Sequence, residues 1–387
     1  MTGDVPAAAD VVVIGAGMVG AACALALASA GLGVCVVDRA GPAAGTTASG
    51  EGNLLVSDKL PGPEVRLALR SIGLWQELAD RAGARFEFER KGGLVVAHDD
   101  VQTAALTELA AAQRHDGVQT ELLDGTGLRA VEPHIAASLP GGVYYPQDCQ
   151  LQPMLAVSWL LTEAARLGVR LALGADVLAG ETANGRIAAV RTTWGTVAAG
   201  AVVNAAGPWS GLVAERLGGW LPVKPRRGHI LVTEPLPPLI RHKVYESDYV
   251  DTVITDSDEP QCSAVVEGTR AGTLLIGSSR EFVGFDRRPS LSILGRIAAR
   301  AAALFPVLAG VRVLRSYVGF RPASPDHLPL IGPDATVGGL YHASGHEGAG
   351  IGLAPGTAEL VTALLAGGQP PVDPVPFAPA RLSQVPA

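Results

Sequence analysis

Three glycines near the start of the chain have the spacing of a phosphate-binding turn. Gly15, Gly17 and Gly20 stand in GAGMVG, after the β-branched run DVVVI and before an alanine-rich stretch that ends at Gly31. The first glycine suits a tight turn, the second lets the backbone approach a pyrophosphate, and the third lets helix and strand pack closely. The helix N-terminus then faces the phosphates. The pattern therefore predicts a nucleotide-binding strand, turn and helix.

An acidic residue ends the next predicted strand. Asp38 closes the run VCVVD, 23 residues after Gly15, where a carboxylate can accept hydrogen bonds from the ribose hydroxyls of an adenosine without a 2′-phosphate. A glycine turn of this form also occurs by chance in plain α/β folds, but here each neighbouring element falls in register. The motif predicts nucleotide binding and leaves NAD and FAD as alternatives.

A second glycine-rich helix start lies near the end of the chain. GHEGAGIG places Gly345, Gly348, Gly350 and Gly352 before an apolar helical stretch. Pro355 is expected in the first turn of that helix, where its missing N–H has no partner to lose.

The segments between these motifs predict two kinds of sheet. Helices are predicted at 64–81, 101–114, 153–167 and 291–304, two strands around Gly92 and Gly93, and a hairpin at Asn184-Gly185. Residues 224–320 are strand-rich with proline and glycine turns, which favours an antiparallel sheet. The proline-rich tail beyond Gly368 is expected to lie across the surface.

Composition excludes several classes of function. The chain has 387 residues, 48% of them hydrophobic, which predicts two domains with large cores, and a net charge of -7, which excludes a basic nucleic-acid surface. Its four cysteines show no CxxC spacing, which favours a reducing compartment and argues against a metal or iron–sulfur site. Glycines interrupt the apolar run at 11–37, so we expect a buried strand-helix-strand, no membrane span, and a cytoplasmic protein.

Taken together, these segments resemble the D-amino-acid oxidase-like flavoproteins, a family that includes glycine oxidase, sarcosine oxidase and D-amino-acid dehydrogenases. The resemblance spans nearly the whole chain and rests on VVVIGAGMVGAACALALASAG with VVD, VVNAAGPWS, VGFRPASPDHLPLIG and ASGHEGAGIGLAPGTAELV, in that order. GEGNLLVSDK and LLIGSSREFVGFDRR are most similar to catalytic subunits of heteromeric hydroxyproline, opine and hydrogen-cyanide-forming glycine dehydrogenases. Such subunits pass electrons to partners that hold iron–sulfur centres or a second flavin. A free-standing oxidase fits the cysteine pattern equally well.

The resemblance implies a mixed α/β fold in which a Rossmann-like FAD-binding domain is interleaved with an antiparallel-sheet substrate domain. We expect the FAD-binding domain to comprise residues 1–84, 141–223 and 321–387, and the substrate domain residues 85–140 and 224–320. The FAD is expected to be non-covalent, because no position matches a flavin-tethering motif well.

The resemblance also implies a set of cofactor contacts. The expected contacts are Gly15, Gly17, Met18, Val19, Gly20, Asp38, Arg39, Ser49, Gly50, Gly52, Asn53, Leu54, Val177, Ala206, Gly207, Trp209, Gly345, His346, Gly348, Gly350 and Ile351. The second glycine-rich segment would face the flavin pyrimidine ring, where a helix N-terminus stabilises the negative charge of reduced flavin.

One arginine matches the family's substrate-binding position. Arg321 in GFRP has the planar guanidinium that binds a carboxylate through two hydrogen bonds, and a salt bridge is its alternative role. Other members pair this arginine with a tyrosine on the antiparallel sheet, but the matching stretch here, SAVVEGTR, has none. Further candidates for the substrate pocket, each with a structural role as the alternative, are Tyr249, Glu267, Arg280 and His346; His229 is interpreted as a packing residue.

The expected reaction is oxidation of the C–N bond of an amino or imino acid, such as a D-amino acid, hydroxyproline, glycine or an opine. Hydride transfer to flavin N5 would give an imine that hydrolyses in water. Two alternatives stay open at this point: an NAD-dependent dehydrogenase, and a flavin-bearing electron-relay subunit without its own substrate.

Overall fold

The computed structural model describes residues 4–250, 255, 257 and 259–382. Its strands are β1 (Ala8–Ile14), β2 (Val34–Asp38), β3 (Asn53–Leu54), β4 (Gly93–Ala97), β5 (Glu121–Asp124), β6 (Gly141–Tyr145), β7 (Cys149–Gln150), β8 (Arg170–Leu173), β9 (Val177–Ala183), β10 (Arg186–Thr192), β11 (Gly195–Asn204), β12 (Lys224–Thr233), β13 (Lys243–Glu246), β14 (Gln261–Gly268), β15 (Leu274–Arg280), β16 (Val313–Ala323), β17 (Leu330–Pro333) and β18 (Leu340–Ser344). Its α-helices are α1 (Met18–Ser29), α2 (Pro63–Ala82), α3 (Asp100–His115), α4 (Gly125–Val131), α5 (Pro153–Arg166), α6 (Ser210–Arg216), α7 (Leu291–Leu304) and α8 (Gly350–Ala366).

The first sheet is mostly parallel and carries the predicted nucleotide-binding unit. Its strands run in the order β17-β18-β11-β1-β2-β8, and β10 and β9 extend it from β11. Residues 11–14 of β1 and 34–37 of β2 are buried, as expected for strands covered on both faces. Helix α1 packs against α5 and α8. This confirms the Rossmann-like part of the expected fold.

The second sheet is largely antiparallel, in the order β16-β12-β15-β14-β13-β4-β6-β5. Only the β13–β4 pair is parallel among the pairs described. Helix α7 packs against β14 and β15 and closes an apolar core between them. The mixed α/β fold is confirmed. No helix in the described part of the chain has both the length and the apolar character needed to cross a membrane.

The division into two domains stays a proposal, and sheet membership suggests one change to it. Residues 141–145 form β6, which pairs with β4 and β5 of the second sheet. We therefore propose that the second domain extends to the end of β6.

Most predicted elements are confirmed, and one strand is wrong. The predicted helices match α2, α3, α5 and α7, and the hairpin has Asn184 and Gly185 at φ 52° and 74°, as its tight turn requires. Residues 87–92 form no strand: Glu89 makes only an isolated bridge with Gln150. The alternating pattern reflects Phe86, whose ring lies 5.5 Å from that of Trp159 in the core.

The expectation for Pro355 is also wrong, because α8 begins at Gly350 and Pro355 therefore lies in its second turn. A proline there removes the N–H that would bond to the Ile351 carbonyl. The indole of Trp75 on α2 supplies the missing donor, with its Nε1 3.0 Å from the Ile351 oxygen. A side chain from another helix thus makes the internal proline tolerable.

The serine one turn before Trp75 reinforces the same contact. Ser71 Oγ donates to the Gly352 carbonyl at 2.6 Å and accepts from the Gly356 N–H at 3.1 Å. It therefore bridges two backbone groups of α8. The proline-rich tail also packs more tightly than predicted, since Phe377 and Leu382 are buried.

Replacing Trp75 by Phe should destabilise the fold through the loss of one hydrogen bond. The Ile351 carbonyl would lose its indole donor, so the free energy of unfolding should fall by about 1–3 kcal/mol more than in a matched control. Trp159→Phe is that control, because the buried Trp159 Nε1 has no hydrogen-bond partner within the described residues. Urea denaturation measures both variants, and equal losses would contradict the assignment.

Candidate active site

A cavity of about 540 Å³ lies where the carboxyl ends of β1, β2 and β11 meet residues of β12 and β16. Ligands of open α/β sheets bind outside the carboxyl ends of the strands. Predicted site residues that line the cavity are Gly15, Gly17, Met18, Val19, Asp38, Arg39, Ser49, Gly50, Asn53, Val177, Ala206, Gly207, Trp209, Tyr249, Arg321, His346, Gly348, Gly350 and Ile351. The structure thus brings both glycine-rich segments and Arg321 to one cavity.

The first glycine turn leaves no room for side chains. Gly15 has φ +114°, and a Cβ there would lie 2.4 Å from the Ala205 carbonyl oxygen. A Cβ on Gly20 would lie 1.9 Å from the Gly15 oxygen. Gly20 does not line the cavity, and its steric position fits the predicted packing role. The N-terminus of α1 can therefore lie close to a bound phosphate.

Asp38 holds the same turn from the neighbouring strand. Its two carboxylate oxygens accept the N–H groups of Ala16 at 2.8 Å and Ala40 at 2.7 Å. Each carboxylate oxygen has a second lone pair. Asp38 therefore can accept ribose hydroxyls while it fixes the loop geometry.

Flat side chains form one wall of the cavity. The Arg39 guanidinium lies 4.1 Å from the centroid of the Trp209 ring, and Trp209 stacks on Phe285 at 5.3 Å with an interplanar angle of 4°. Phe285 in turn meets Phe320 edge-on at 5.5 Å. Sequence reasoning predicted Arg39 and Trp209 but missed both phenylalanines, although Phe285 lies within the motif LLIGSSREFVGFDRR.

Arg321, next to Phe320 on β16, also lines the cavity. Its Nη1 donates to the Ser279 carbonyl at 2.8 Å, and it covers Gly228, where a Cβ would lie 2.3 Å from Nη1. Burial, reinforced by the cation of Arg280, lowers the pKa of Arg321, but a guanidinium stays charged in proteins. The site thus presents a cation next to Gly348. A Cβ on that glycine would lie 3.7 Å from Arg321 Nε.

A buried carboxylate near Arg321, which also lines the cavity, orders the neighbouring arginines. Glu347 Oε1 lies 2.7 Å from Arg226 Nη1, and its Oε2 lies 3.9 Å from Arg280 Nε. Burial raises the pKa of Glu347, but Arg280, Arg226 and Arg321 outweigh that effect, so the pKa lies below its ordinary value. Glu347 is therefore ionised and fixes the loop that precedes α8. Sequence reasoning missed it, although it lies within GHEGAG.

Four of the predicted site residues, namely Gly52, Leu54, Gly345 and Glu267, are not among the residues that line the cavity. A Cβ on Gly52 would lie 1.8 Å from the Leu151 oxygen, and its N–H is 3.2 Å from both carboxylate oxygens of Glu267. Leu54 is fully buried in β3. Gly345, at φ +73°, packs against Leu330. Direct ligand contact by these residues, and a pocket role for Glu267, stay untested predictions.

The remaining pocket candidates have identifiable partners. The Arg280 guanidinium lies 4.5 Å from the centroid of the Tyr249 ring. Tyr249 lines the cavity, whereas Arg280 contacts Tyr249 without lining the cavity itself. His229 Nδ1 lies 2.9 Å from Ser279 Oγ, and its Nε2 accepts the Ser290 N–H at 3.1 Å. These contacts fit the packing role expected for His229.

His346 is buried beside α8, with its Nε2 2.9 Å from Thr357 Oγ1. Burial lowers the pKa of His346 to about 3. The imidazole is therefore neutral at neutral pH.

A model of the family described as FAD dependent oxidoreductase matches residues 10–364. The chain belongs to this family. The flavoprotein is 30% identical to the hydrogen cyanide synthase subunit HcnC of Pseudomonas aeruginosa, over 98% of this chain and 97% of the relative. It is also 30% identical to the glycine oxidase of Pseudomonas aeruginosa, over 96% of this chain and 98% of that protein.

Solved structures show the same likeness along the full chain. Glycine oxidase from Geobacillus kaustophilus has a TM-score of 0.88 and 27% identity, covering 99% of this flavoprotein and 100% of that chain. L-proline dehydrogenase from P. horikoshii has a TM-score of 0.90 and 25% identity, covering 98% and 99%. The prediction of FAD, rather than NAD, is confirmed.

The cavity fits FAD on observations of this chain alone. The crowded turn at Gly15 brings backbone amides to the diphosphate position, and Asp38 can accept the ribose hydroxyls. The small-residue loop at 49–53 and the N-terminus of α8 at Gly350 line the cavity farther along, where a flat ring can lie against backbone. The absence of a covalent link to the flavin stays a prediction.

The low pKa of His346 should make stability depend on pH. Below its ordinary pKa of about 6.5, the unfolded chain binds a proton that the folded chain does not, so stability should fall as pH drops from about 6.5 towards 3, by up to about 1.4 kcal/mol per pH unit. His346→Gln should remove this contribution, measured as a shallower fall in the free energy of unfolding between about pH 6.5 and 4.5. His115→Gln, on the exposed end of α3, is the control and should keep the wild-type slope. Parallel curves for wild type and His346→Gln would refute the prediction.

Proposed function

We propose that the protein oxidises the C–N bond of an amino or imino acid whose carboxylate binds Arg321. The observation that carries this proposal is the position of Arg321, which lines the same cavity as the FAD-binding turn and packs over Gly228, where a side chain would displace its guanidinium. Relatives named glycine oxidase and D-amino acid dehydrogenase, and the structural neighbour named L-proline dehydrogenase, support this substrate class.

The residues of the chain orient the substrate more than they react with it. FAD, when bound, supplies the acceptor for the two electrons that leave the substrate as a hydride from Cα. Arg321 fixes the carboxylate through charge-assisted hydrogen bonds, which restricts the rotation of Cα relative to the cavity wall. Water then hydrolyses the imine product, a step that requires no residue of the chain.

The substrate-facing end of the cavity combines Tyr249, Arg321 and the neutral His346. Tyr249 lies on the side of Gly348, with its hydroxyl oxygen 3.9 Å from the position of a Cβ on that glycine. It supplies a phenol near Arg321 from a segment other than the one in which relatives carry their tyrosine. We propose that Tyr249 and Arg321 bind the carboxylate together.

The electron acceptor and cellular context are proposals of the same kind. HcnC is by name a subunit of hydrogen cyanide synthase, which supports electron transfer to partner subunits with iron–sulfur centres or a second flavin, whereas the relatives named glycine oxidase support a free-standing enzyme. We propose a cytoplasmic protein. Oxygen uptake and dye reduction, followed in parallel, separate the two kinds of acceptor.

Replacing Arg321 by Met should impair substrate binding and leave FAD bound. The loss of charge-assisted hydrogen bonds should lower kcat/KM for the reactive amino acid by about 10- to 150-fold. Arg315→Met, at an exposed position on the same strand, is the matched control and should match wild type. Steady-state dye reduction measures the rates, and flavin absorbance measures the bound FAD. A wild-type kcat/KM in Arg321→Met would show that the carboxylate binds elsewhere.

The proposed function itself is tested by a dye-reduction screen of the FAD-loaded protein. The panel contains D- and L-amino acids, proline derivatives, glycine, sarcosine and opines. We expect at least one of these to reduce the dye. If none does, although the protein holds FAD that dithionite reduces, the electron-relay alternative is favoured.

A further inference from the structure

Glu51 faces the cavity with one oxygen of its carboxylate uncommitted. Oε2 accepts from Asn53 Nδ2 at 2.9 Å and from Lys243 Nζ at 3.1 Å. Oε1 is buried and has no hydrogen-bond partner within the described residues. Glu51 is only 9% exposed and lines the cavity that holds Arg321. A buried, unpaired carboxylate oxygen is costly unless a ligand completes it.

The second sheet sets the spacing between Glu51 and Arg321. Arg321 covers Gly228 of β12, whereas Glu51 Oε1 lies 2.9 Å from the position of a Cβ on Gly277, next to the side chain of Ile230. Gly228 and Ile230 are two residues apart and both line the cavity, so they are about 6–7 Å apart along one strand face. The guanidinium and the carboxylate therefore lie against nearby positions of one sheet and line one cavity, an arrangement that suits the two charged ends of an α-amino acid.

Oxidation of such a substrate requires its nitrogen to be neutral. An amino acid binds from neutral water mainly as an ammonium ion, which has no lone pair to form a C=N bond as Cα loses its hydride. One N–H bond must therefore break first, with its electron pair left on nitrogen. A carboxylate within hydrogen-bond reach can take that proton.

We propose that Glu51 binds the ammonium group of the substrate and accepts one of its protons on Oε1, a role that rests on the proposed function. The N–H bond breaks, an O–H bond forms on Glu51, and the neutral amine keeps the electron pair that becomes the second bond of the imine. Arg321 and Glu51 thus fix opposite ends of one substrate.

Charged neighbours support a carboxylate at this place. Burial lowers the pKa of Lys243, but Glu51 and Glu267 outweigh it, so the pKa is raised and Lys243 stays a cation. Burial, and then Glu51 and Glu267, raise the pKa of Tyr317, whose neutral hydroxyl donates to the Gly50 carbonyl at 3.2 Å. Burial also raises the pKa of Glu267, against the cations of Lys243 and Lys91. Of the two carboxylates on Lys243, Glu51 is the one that lines the cavity.

The test compares Glu51→Gln with wild type as FAD-loaded proteins, using the amino acid that reduces wild-type flavin fastest. We expect kcat/KM at neutral pH to fall by about 100-fold or more, the range of a lost general base. The remaining activity should depend on substrate that is already neutral, so it should rise by about tenfold per pH unit, more steeply than in wild type. Glu121→Gln, which removes a carboxylate at an exposed position on β5, should keep the wild-type pH profile.

A binding measurement separates the amine role from general damage to the pocket. Acetate carries a carboxylate and no amine, and its binding is followed by the shift it causes in flavin absorbance. Glu51→Gln should keep the acetate affinity of wild type, because Arg321 is intact. If Glu51→Gln does not hold FAD, Glu51→Asp replaces it: the shorter carboxylate should lower the rate and keep the wild-type pH profile.

Three results would overturn the inference: a wild-type rate and pH profile in Glu51→Gln, an equal loss of acetate and amino-acid binding in that variant, or a steep profile in Glu51→Asp. In each case the wild-type enzyme still oxidises its amino acid, so the proposed function stands. Failure of every amino acid to reduce wild-type flavin is a different result and counts against the proposed function itself.

Discussion

Residues 45–53 form a loop that packs very closely against the second sheet. At the points of contact the sheet carries glycine, because a larger residue would collide with the loop. A Cβ on Gly319 would lie 2.6 Å from Ser49 Cβ, and a Cβ on Gly277 would lie 2.9 Å from Glu51 Oε1. On the other side of the loop, Gly52 meets the Leu151 carbonyl at a distance that only glycine permits. Because the loop is confined from both sides, its position is fixed before any ligand binds, and the width of the cavity follows from it. Preorganisation of this kind reduces the ordering that substrate binding must supply.

Buried charges give the confined cavity its polarity. Arg321, whose neighbours Arg226 and Arg280 are ordered by Glu347, presents a cation at one end. Elsewhere in the same lining, Lys243 holds one oxygen of Glu51. Burying ions is expensive and gives little net stability, so retained buried charges are more readily explained by function than by folding. An amino acid in its ionised form has the complementary polarity.

The sequence was sufficient for the features that depend on local spacing. GAGMVG with Asp38, the Asn184-Gly185 turn and the amphipathic helices depend on residues close together in the chain, and the structure contains them. Family resemblance located Arg321. Glu51 and Phe285 lie within motifs that the resemblance used, but their contacts come from residues far away in sequence, including Lys243 and Trp209. No pattern of local spacing carries that information.

The two structural misreadings have the same origin. The alternation around Phe86 satisfies a core between α2 and α5 rather than a strand, and the internal Pro355 is accommodated by Trp75, 280 residues earlier in the chain. In both places tertiary contacts override the local preference.

The most direct test of the account is a crystal structure of the FAD-loaded protein in its reduced state, with its preferred amino acid bound. We expect the carboxylate oxygens of the amino acid within hydrogen-bond distance of the Arg321 guanidinium, and its nitrogen within hydrogen-bond distance of Glu51 Oε1. A substrate bound in the reverse direction, or outside the space between these two side chains, would contradict it.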